Sequence, residues 1–398
     1  MAPDPTPITT TLSPAELSYL HTSLTSTPAP TRPDGRSATQ FRPLIAETDV
    51  LPGTNGSARV CFADGTEAVV GVKGEVERTA TSSVAAEGLE MAGVELGRNG
   101  NGRDEWVELS VEIPGFREDD ALPVFLGRML TEAVTSSSSS SSIHDGLGER
   151  KGVLSRLRIN DGWHWKIYID ILLLSLPLSY PLPLLSLTTH LALLSTKLPK
   201  LKSEGDEDPL FDDDWEQAEH LYPPPTAQDE SQKSVSFQSE TSHPPVTLLV
   251  MAVGPNVIFD PSREELAVAD CVLAVSVVDD GASSGAIDAE SGAKGSEGLR
   301  VVSVRTVDPP SRMTAPGVPL ATTNASFAAG GGGGGTGGQA GAGEVDAGDG
   351  KGVWKAPRGG VKRDVLSRMV KMVVEDGEGW GRAVAREVLD GLEGVISR

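Results

Sequence analysis

Residues 56–73 read GSARVCFADGTEAVVGVK, two alternating apolar–polar runs joined at Asp64-Gly65. An Asp-Gly pair between such runs is a strong short-range signal for a β-hairpin, because glycine accepts the positive φ that tight turns require. The spacing predicts strands at Gly56–Phe62 and Glu67–Lys73 with the turn between them.

Working outward, the same grammar recurs. Trp106 to Ile113 alternates, with Val107, Leu109, Val111 and Ile113 on one face and Trp106, Glu108, Ser110 and Glu112 on the other. A helix fits Ala121 to Val134, with Leu122, Phe125, Leu126, Met129 and Leu130 on one stripe and Arg128 to Glu132 as an i,i+4 pair. The run Ile167 to Leu194 is long enough to cross a bilayer. It holds Asp170, His190 and prolines at 177, 181 and 183, however, and its first part alternates: Trp165, Ile167, Ile169 and Ile171 oppose His164, Lys166, Tyr168 and Asp170. The expected structure is a strand, a Pro-rich turn and an apolar helix from about Leu182 to Leu198, not a membrane span. In the second half, strands fit 246–253, 257–260, 271–278 and 299–307, and a long amphipathic helix, broken near Gly377–Gly381, fits 362–396. Strands followed by helices, twice, imply an α/β or α+β body of two similar halves.

Composition bounds the rest. The chain has 398 residues, a net charge of −22, 38% hydrophobic and 5% aromatic residues, with Gly 45 and Pro 28, so part of it lies outside any core. The charge excludes a histone-like basic nucleic-acid binder but leaves room for a small basic groove. Two cysteines, Cys61 and Cys271, are too few for a disulfide framework or thiolate metal site and fit a reducing compartment. The N-terminus MAPDPTPITT lacks the basic and apolar regions of a signal peptide. A short helix is expected to open at Ser13-Pro14-Ala15-Glu16 within an otherwise flexible segment 1–31. Five stretches read as mobile insertions: Thr81–Arg103, Ser136–Ser142, Ser203–His243, Asp279–Glu297 and Thr322–Gly352.

Few motifs carry chemistry. The glycine run near 330–343 lacks the Lys-Ser/Thr ending and leading strand of a phosphate loop and reads as linker. Gly281-Ala-Ser283-Ser-Gly285 matches a nucleophile elbow, but no histidine follows His243 to complete the usual order. The histidines at 21, 144, 164, 190, 220 and 243 never sit at i,i+4, which argues against a histidine metal site. Asp260, Glu264 and Glu265 place three carboxylates just after a strand. They are the weak candidates for a divalent cation or general acid. The bland alternative is a helix start, with Asp260 as N-cap, Pro261 at N1 and the glutamates at the positive dipole end. Arg32-Pro-Asp-Gly-Arg36 with Phe41-Arg42 is the only locally basic spot before the first strand. Its arginines can grip phosphate or tether a terminal segment to an acidic neighbour.

RPDGR at 32–36, FRPL at 41–44, ETDVLPGTNGSARVCFADGTEAVVGVKGEV at 47–76, WHWKIYIDILLL at 163–174, LPKL at 198–201 and VTLLVMAVGPNVIFDPSREE at 246–265 resemble RNase PH-like proteins. The likeness is strongest to the ring subunit of the eukaryotic RNA exosome related to the archaeal non-catalytic ring subunit. It implies an α+β, RNase PH-like (ribosomal protein S5 domain 2-like) fold with two similar β-sheet/helix halves and several disordered insertions. The domain plan is then a first half at 32–202, an acidic Pro-rich insertion at 203–245 and a second half at 246–398 with insertions at 279–297 and 322–352.

Active family members use inorganic phosphate to cleave the 3′-terminal phosphodiester. That chemistry needs a cradle for the phosphoryl charge beside the carboxylates. Where active members place a Gly-Gly turn, this chain has Ser175-Leu-Pro-Leu-Ser-Tyr-Pro181, and the serines at 136–142 come without an arginine. Asp260, Glu264 and Glu265 fall at the matching acidic position. The resemblance therefore implies a subunit without catalysis or cofactor, in a hetero-oligomer with other RNase PH-like ring subunits and RNA-binding cap subunits. It would thread single-stranded RNA in ribosomal RNA processing and decay, in nucleus, nucleolus and cytoplasm. Arg128, on the polar side of its helix, is the candidate RNA contact, against the plainer pairing with Glu132. The rival reading is an active phosphate-dependent 3′–5′ exoribonuclease using Asp260 and Glu265.

Overall fold

The computed structural model describes residues 12–79, 103–136, 152–160, 162–203, 208–222, 243–279, 298–307, 361–377 and 380–396. The glycine run, the GxSxG match, the serine run, His144 and most of the expected insertions lie outside these residues.

The chain opens with α1 (Pro14–Leu24), started by a capping box in which Ser13 and Glu16 satisfy each other's backbone N–H groups. Leu17, Leu20 and Leu24 are buried on its inner stripe. The expectation of a flexible segment over residues 1–31 is corrected for this part, because that stripe ties it to the core.

β1 (Leu44–Thr48), β2 (Gly56–Phe62) and β3 (Glu67–Arg78) form an antiparallel meander. The hairpin forms where expected: Gly65 takes φ +83°, and Asp64 Oδ1 accepts from the Thr66 N–H at 2.9 Å. β4 (Val107–Glu112) follows a 3-10 turn at Asp104–Trp106, then come α2 (Ala121–Ser136), α3 (Val153–Arg156) and β5 (Trp163–Leu173). β4 runs parallel to β5 and completes a five-stranded sheet in the order β1-β2-β3-β5-β4. Trp106 was expected on the polar face. It is buried instead, because the 3-10 turn breaks the alternation and its ring stacks on His164 at 4.4 Å between centroids.

α4 (Leu182–Ser195) packs against β2 and β3 on one side and the second sheet on the other. Apolar residues surround it because it is covered all round, Leu182, Leu185 and Leu191 being fully enclosed. With β5, it explains the membrane-like hydropathy of 167–194. No described helix is long and apolar enough to cross a membrane. The helix ends three residues earlier than expected, where β6 (Lys197–Leu198) pairs with β7 (Glu219–His220) after a 3-10 turn at Trp215–Gln217.

That pairing corrects the acidic insertion. Residues 208–222 pack on the body: Phe211 meets Trp165 at 4.9 Å between ring centroids, and Leu221 and Tyr222 are buried. Aromatic anchors outweigh the local acidity here.

β8 (Val246–Val253), β9 (Asn256–Phe259), β10 (Cys271–Asp279) and β11 (Leu299–Val307) form a second, antiparallel sheet in the order β11-β10-β8-β9. All eight residues of β8 are buried, so both faces of this sheet are covered at its centre, while the edge strand β11 is partly exposed. A four-residue helix, α5 (Arg263–Leu266), links β9 to β10. α6 (Arg363–Val374) packs on the second sheet, and α7 (Val384–Ile396) packs on α6, the break at 377–381 falling where expected. The architecture is α+β, in two halves that share α4 as common core.

Candidate functional site

The segment between α1 and β1 carries the basic spot, and it folds onto the carboxylates that follow β9. Arg32 lies fully buried with its Nε 2.7 Å from Glu265 Oε1 and its Nη2 2.8 Å from Oε2. The same guanidinium donates to the Phe259 and Asp260 carbonyls at 3.1 and 3.0 Å. Arg36 Nη1 reaches Asp260 Oδ2 at 2.8 Å. Arg42 grips Asp260 with Nη2 to Oδ1 at 2.7 Å and Nε to Oδ2 at 2.9 Å, and its backbone N–H donates to Oδ2 at 2.9 Å. Arg42 Nη1 also reaches Asp64 Oδ2 at 2.5 Å and Ser179 Oγ at 2.6 Å, and the guanidinium lies over Phe62, 4.5 Å from the ring centroid.

Local structure explains the aim of each group. Asp260 adopts φ +45°, a left-handed conformation that aspartate tolerates better than most residues. That turn points the carboxylate inward, and four hydrogen bonds from Arg36 and Arg42 hold it there. Asp260 is therefore not the helix cap expected from the sequence. Ser262 caps α5, with Glu265 as the reciprocal residue of a capping box, so Ser262 N–H donates to Glu265 Oε2 at 2.7 Å. Glu264 is exposed and accepts from Ser262 Oγ. The three carboxylates diverge: two are buried against different arginines, and one faces solvent.

Burial alone would lower the Arg42 guanidinium's affinity for its proton, but the hydrogen bonds and charge of Asp260 outweigh it and hold the pKa above the ordinary arginine value. Burial pushes the Asp64 carboxyl up, and hydrogen bonds from Thr66 with the Arg42 charge more than reverse this, leaving it below the usual range. Asp34 is likewise lowered against its burial by hydrogen bonds from Arg36 and the charges of Arg32 and Arg36. Chemically the cluster is an ionic latch. Asp260 accepts four hydrogen bonds and Glu265 three, and each carboxylate is ion-paired with a largely buried arginine, so a cation or a proton would compete with those ion pairs for the same oxygens. Of the two roles open to the arginines, tether or phosphate grip, the geometry takes the tether.

Among the described residues no group of three His, Cys, Asp or Glu side chains converges at metal-binding distance. His164 accepts or donates at 3.0 Å with Thr79 Oγ1, and His190 is buried against the Pro244 carbonyl at 2.9 Å.

Arg128 is exposed on α2. Its expected partner Glu132 is engaged elsewhere, by Arg305 of β11 with Nε 3.1 Å and Nη2 2.5 Å from Oε2. The i,i+4 pair is corrected by a tertiary contact: β11 lies beside α2 and brings a forked donor to the same carboxylate. Two members of the latch escaped sequence reasoning. Asp64 read only as a turn residue, and Ser179 sits in a Pro-rich stretch with no signal tying it to Arg42, 137 residues away.

No family model matches the chain. It is 33% identical over 265 residues to the exosome complex component RRP42 of Saccharomyces cerevisiae, spanning 67% of this chain and 81% of that protein. It is also 33% identical over 288 residues to the exosome complex component rrp42 of Schizosaccharomyces pombe, spanning 69% of this chain and 80% of that one. Among solved structures it is similar to a chain of the Archaeoglobus fulgidus exosome with RNA bound to the active site, at 21% identity and a TM-score of 0.44 over 74% of this chain and 87% of that one. A chain of an archaeal exosome core gives 21% identity and a TM-score of 0.43, covering 73% and 84%.

Proposed function

The chain belongs to the RRP42 family of exosome complex components, and on that premise we propose that it is a non-catalytic, RNase PH-like subunit of an exosome core ring. In this reading it assembles with other RNase PH-like chains and RNA-binding cap subunits, and it supports 3′–5′ processing and decay of RNA by completing the channel that feeds a separate nuclease. The identity to the two yeast proteins over about four-fifths of their length carries the assembly part.

The latch supports the non-catalytic part. Asp260 and Glu265, the carboxylates a phosphorolytic site would need, are spent on Arg32, Arg36 and Arg42. The segment 175–181, at the position of the phosphate-binding turn, carries no arginine of its own, offers Ser179 to Arg42 and exposes Leu176 and Leu178. Arg128 remains our candidate RNA contact: it is exposed, and among the described residues no carboxylate ion-pairs with it. Nuclear, nucleolar and cytoplasmic location belongs to the same proposal and is checked by imaging the tagged chain.

The test is affinity purification of the tagged protein from its own cells, with mass spectrometry and a phosphate-dependent RNA decay assay on the eluate and on the isolated subunit. Recovery of the other RNase PH-like chains with no phosphate-dependent activity is the expected result. Release of nucleoside diphosphates by the subunit alone would overturn the non-catalytic reading in favour of an active exoribonuclease.

A further inference from the structure

The strand β5 does not end its alternation at Leu173. From 172 to 179 every second residue points out: Leu172, Leu174, Leu176 and Leu178 are 42%, 48%, 66% and 54% exposed, whereas Leu173, Pro177 and Ser179 between them are buried. Four exposed leucines thus follow one another at every second position, Leu172 and Leu174 along the outer side of the first sheet and its continuation, and Leu176 and Leu178 on the segment beyond it, where the chain bends at Ser175, Leu178 and Ser179. Such a contiguous apolar row costs solvation and marks an interaction surface, unlike leucines scattered singly.

The row is held rigidly. Leu174 N–H donates to the Glu67 carbonyl at 2.8 Å, and Glu67 N–H donates to Ser175 Oγ at 2.9 Å. At the far end Arg42 fixes Ser179, so the latch also pins the leucine row. A surface fixed in this way loses little entropy when it is covered.

Charge selects the occupant. Glu112 is the cross-strand neighbour of Leu172, Glu67 flanks Leu174, and two cations beside the row are already held by carboxylates, Arg59 between Glu47 and Glu67 and Arg42 by Asp64 and Asp260. The fringe is net acidic, which repels RNA phosphates and suits a protein surface with an apolar centre and a basic edge.

We infer that the Leu172–Leu178 row is the docking surface for a neighbouring protein chain of the ring, one presenting an apolar strip bordered by lysine or arginine. This rests on the ring-subunit reading above and adds to it which face of the chain is covered.

The test uses the full chain co-expressed with the RNase PH-like chains of its own cells, read by native mass spectrometry. Leu174→Glu with Leu176→Glu is compared with Tyr19→Glu, which alters an exposed side chain on α1. The double variant is expected to enter the complex at least tenfold less than wild type while its own melting curve is unchanged, and Tyr19→Glu to enter normally. Hydrogen exchange on the wild-type chain supplies a readout free of folding effects: amides at 172–178 should be protected in the complex relative to the isolated chain. Normal entry of the double variant, or no added protection, would overturn the inference and leave the ring reading standing. A wild-type homodimer that the double variant dissolves would make a second copy the occupant and overturn it too. Failure of the wild type to join any such complex would bring down the ring reading and this inference together.

Discussion

Arg42 and Asp260 stand 218 residues apart in the chain and meet as a two-pronged ion pair, Nη2 to Oδ1 at 2.7 Å and Nε to Oδ2 at 2.9 Å. Both side chains are largely withdrawn from water, so the pair fastens the N-terminal segment to the second sheet and each charge depends on the other for its solvation.

Asp260→Asn separates charge from backbone conformation, because asparagine also accepts a positive φ. It leaves Arg36 and Arg42 buried without their shared carboxylate, and the loss expected for breaking a buried pair is about 3–5 kcal/mol. Urea unfolding of wild type and variant measures it. A loss below about 1 kcal/mol, typical of exposed pairs, would show that the latch is solvated.

Millimolar Mg²⁺ is expected to leave the melting temperature of the chain unchanged, since the oxygens of Asp260 and Glu265 are already occupied by arginines. A ligand that binds only the folded state raises stability with its concentration. A rise with Mg²⁺ that Glu265→Gln abolishes would mean that the arginines yield to a cation, and it would reopen the catalytic reading.

His190 sets a pH dependence. Burial, with the nearby charge of His243, pulls its pKa down to about 3 from an ordinary 6.5, against the pull of its bond to the Pro244 carbonyl. The folded chain keeps this imidazole neutral while the unfolded chain takes up a proton below about pH 6.5. Stability is then fully present above that pH and lost as pH falls toward 3. Between pH 7 and 5 the loss from this group is about 2 kcal/mol. His190→Gln, which keeps a donor for the carbonyl, should lose about that much less over the same interval in urea titrations. Equal losses in the two proteins would assign the effect to other groups.

Gly56→Ala is expected to destabilise by about 2 kcal/mol or more, at the upper end of what overpacking costs. A β-carbon there would lie 2.6 Å from Thr196 Cα and 2.7 Å from its nitrogen, and this backbone, at the end of α4, cannot swing aside like a side-chain tip. Thermal denaturation decides it; an unchanged midpoint would mean that the β2–α4 contact is loose.

Much of the fold was legible because its signals are local. The Asp64-Gly65 turn, the alternation of β2, β3 and β5, the stripe on α2 and the break between α6 and α7 repeat over two to four residues, and a strand or helix must present them on one side. Local pattern failed where tertiary partners intervened. Residues 208–222 read as acidic linker until Phe211 found Trp165, and α1 read as a tail until its leucines found the core. The site was half legible: the arginines at 32, 36 and 42 and the carboxylates at 260 and 265 were each singled out, but as separate clusters.

The sequence by itself determined the periods, and with them the class of fold and the inventory of charged groups. The tertiary structure alone decided which charges meet and which apolar residues stay wet. Glu132 turns from Arg128, four residues away, to Arg305, because two sheets packed around α4 bring β11 against α2. Leu172 and Leu173 are neighbours of identical chemistry, yet one is 42% exposed and the other 1%. A strand's two faces become inside and outside only when another layer covers one of them, and which one it covers is a property of the whole chain.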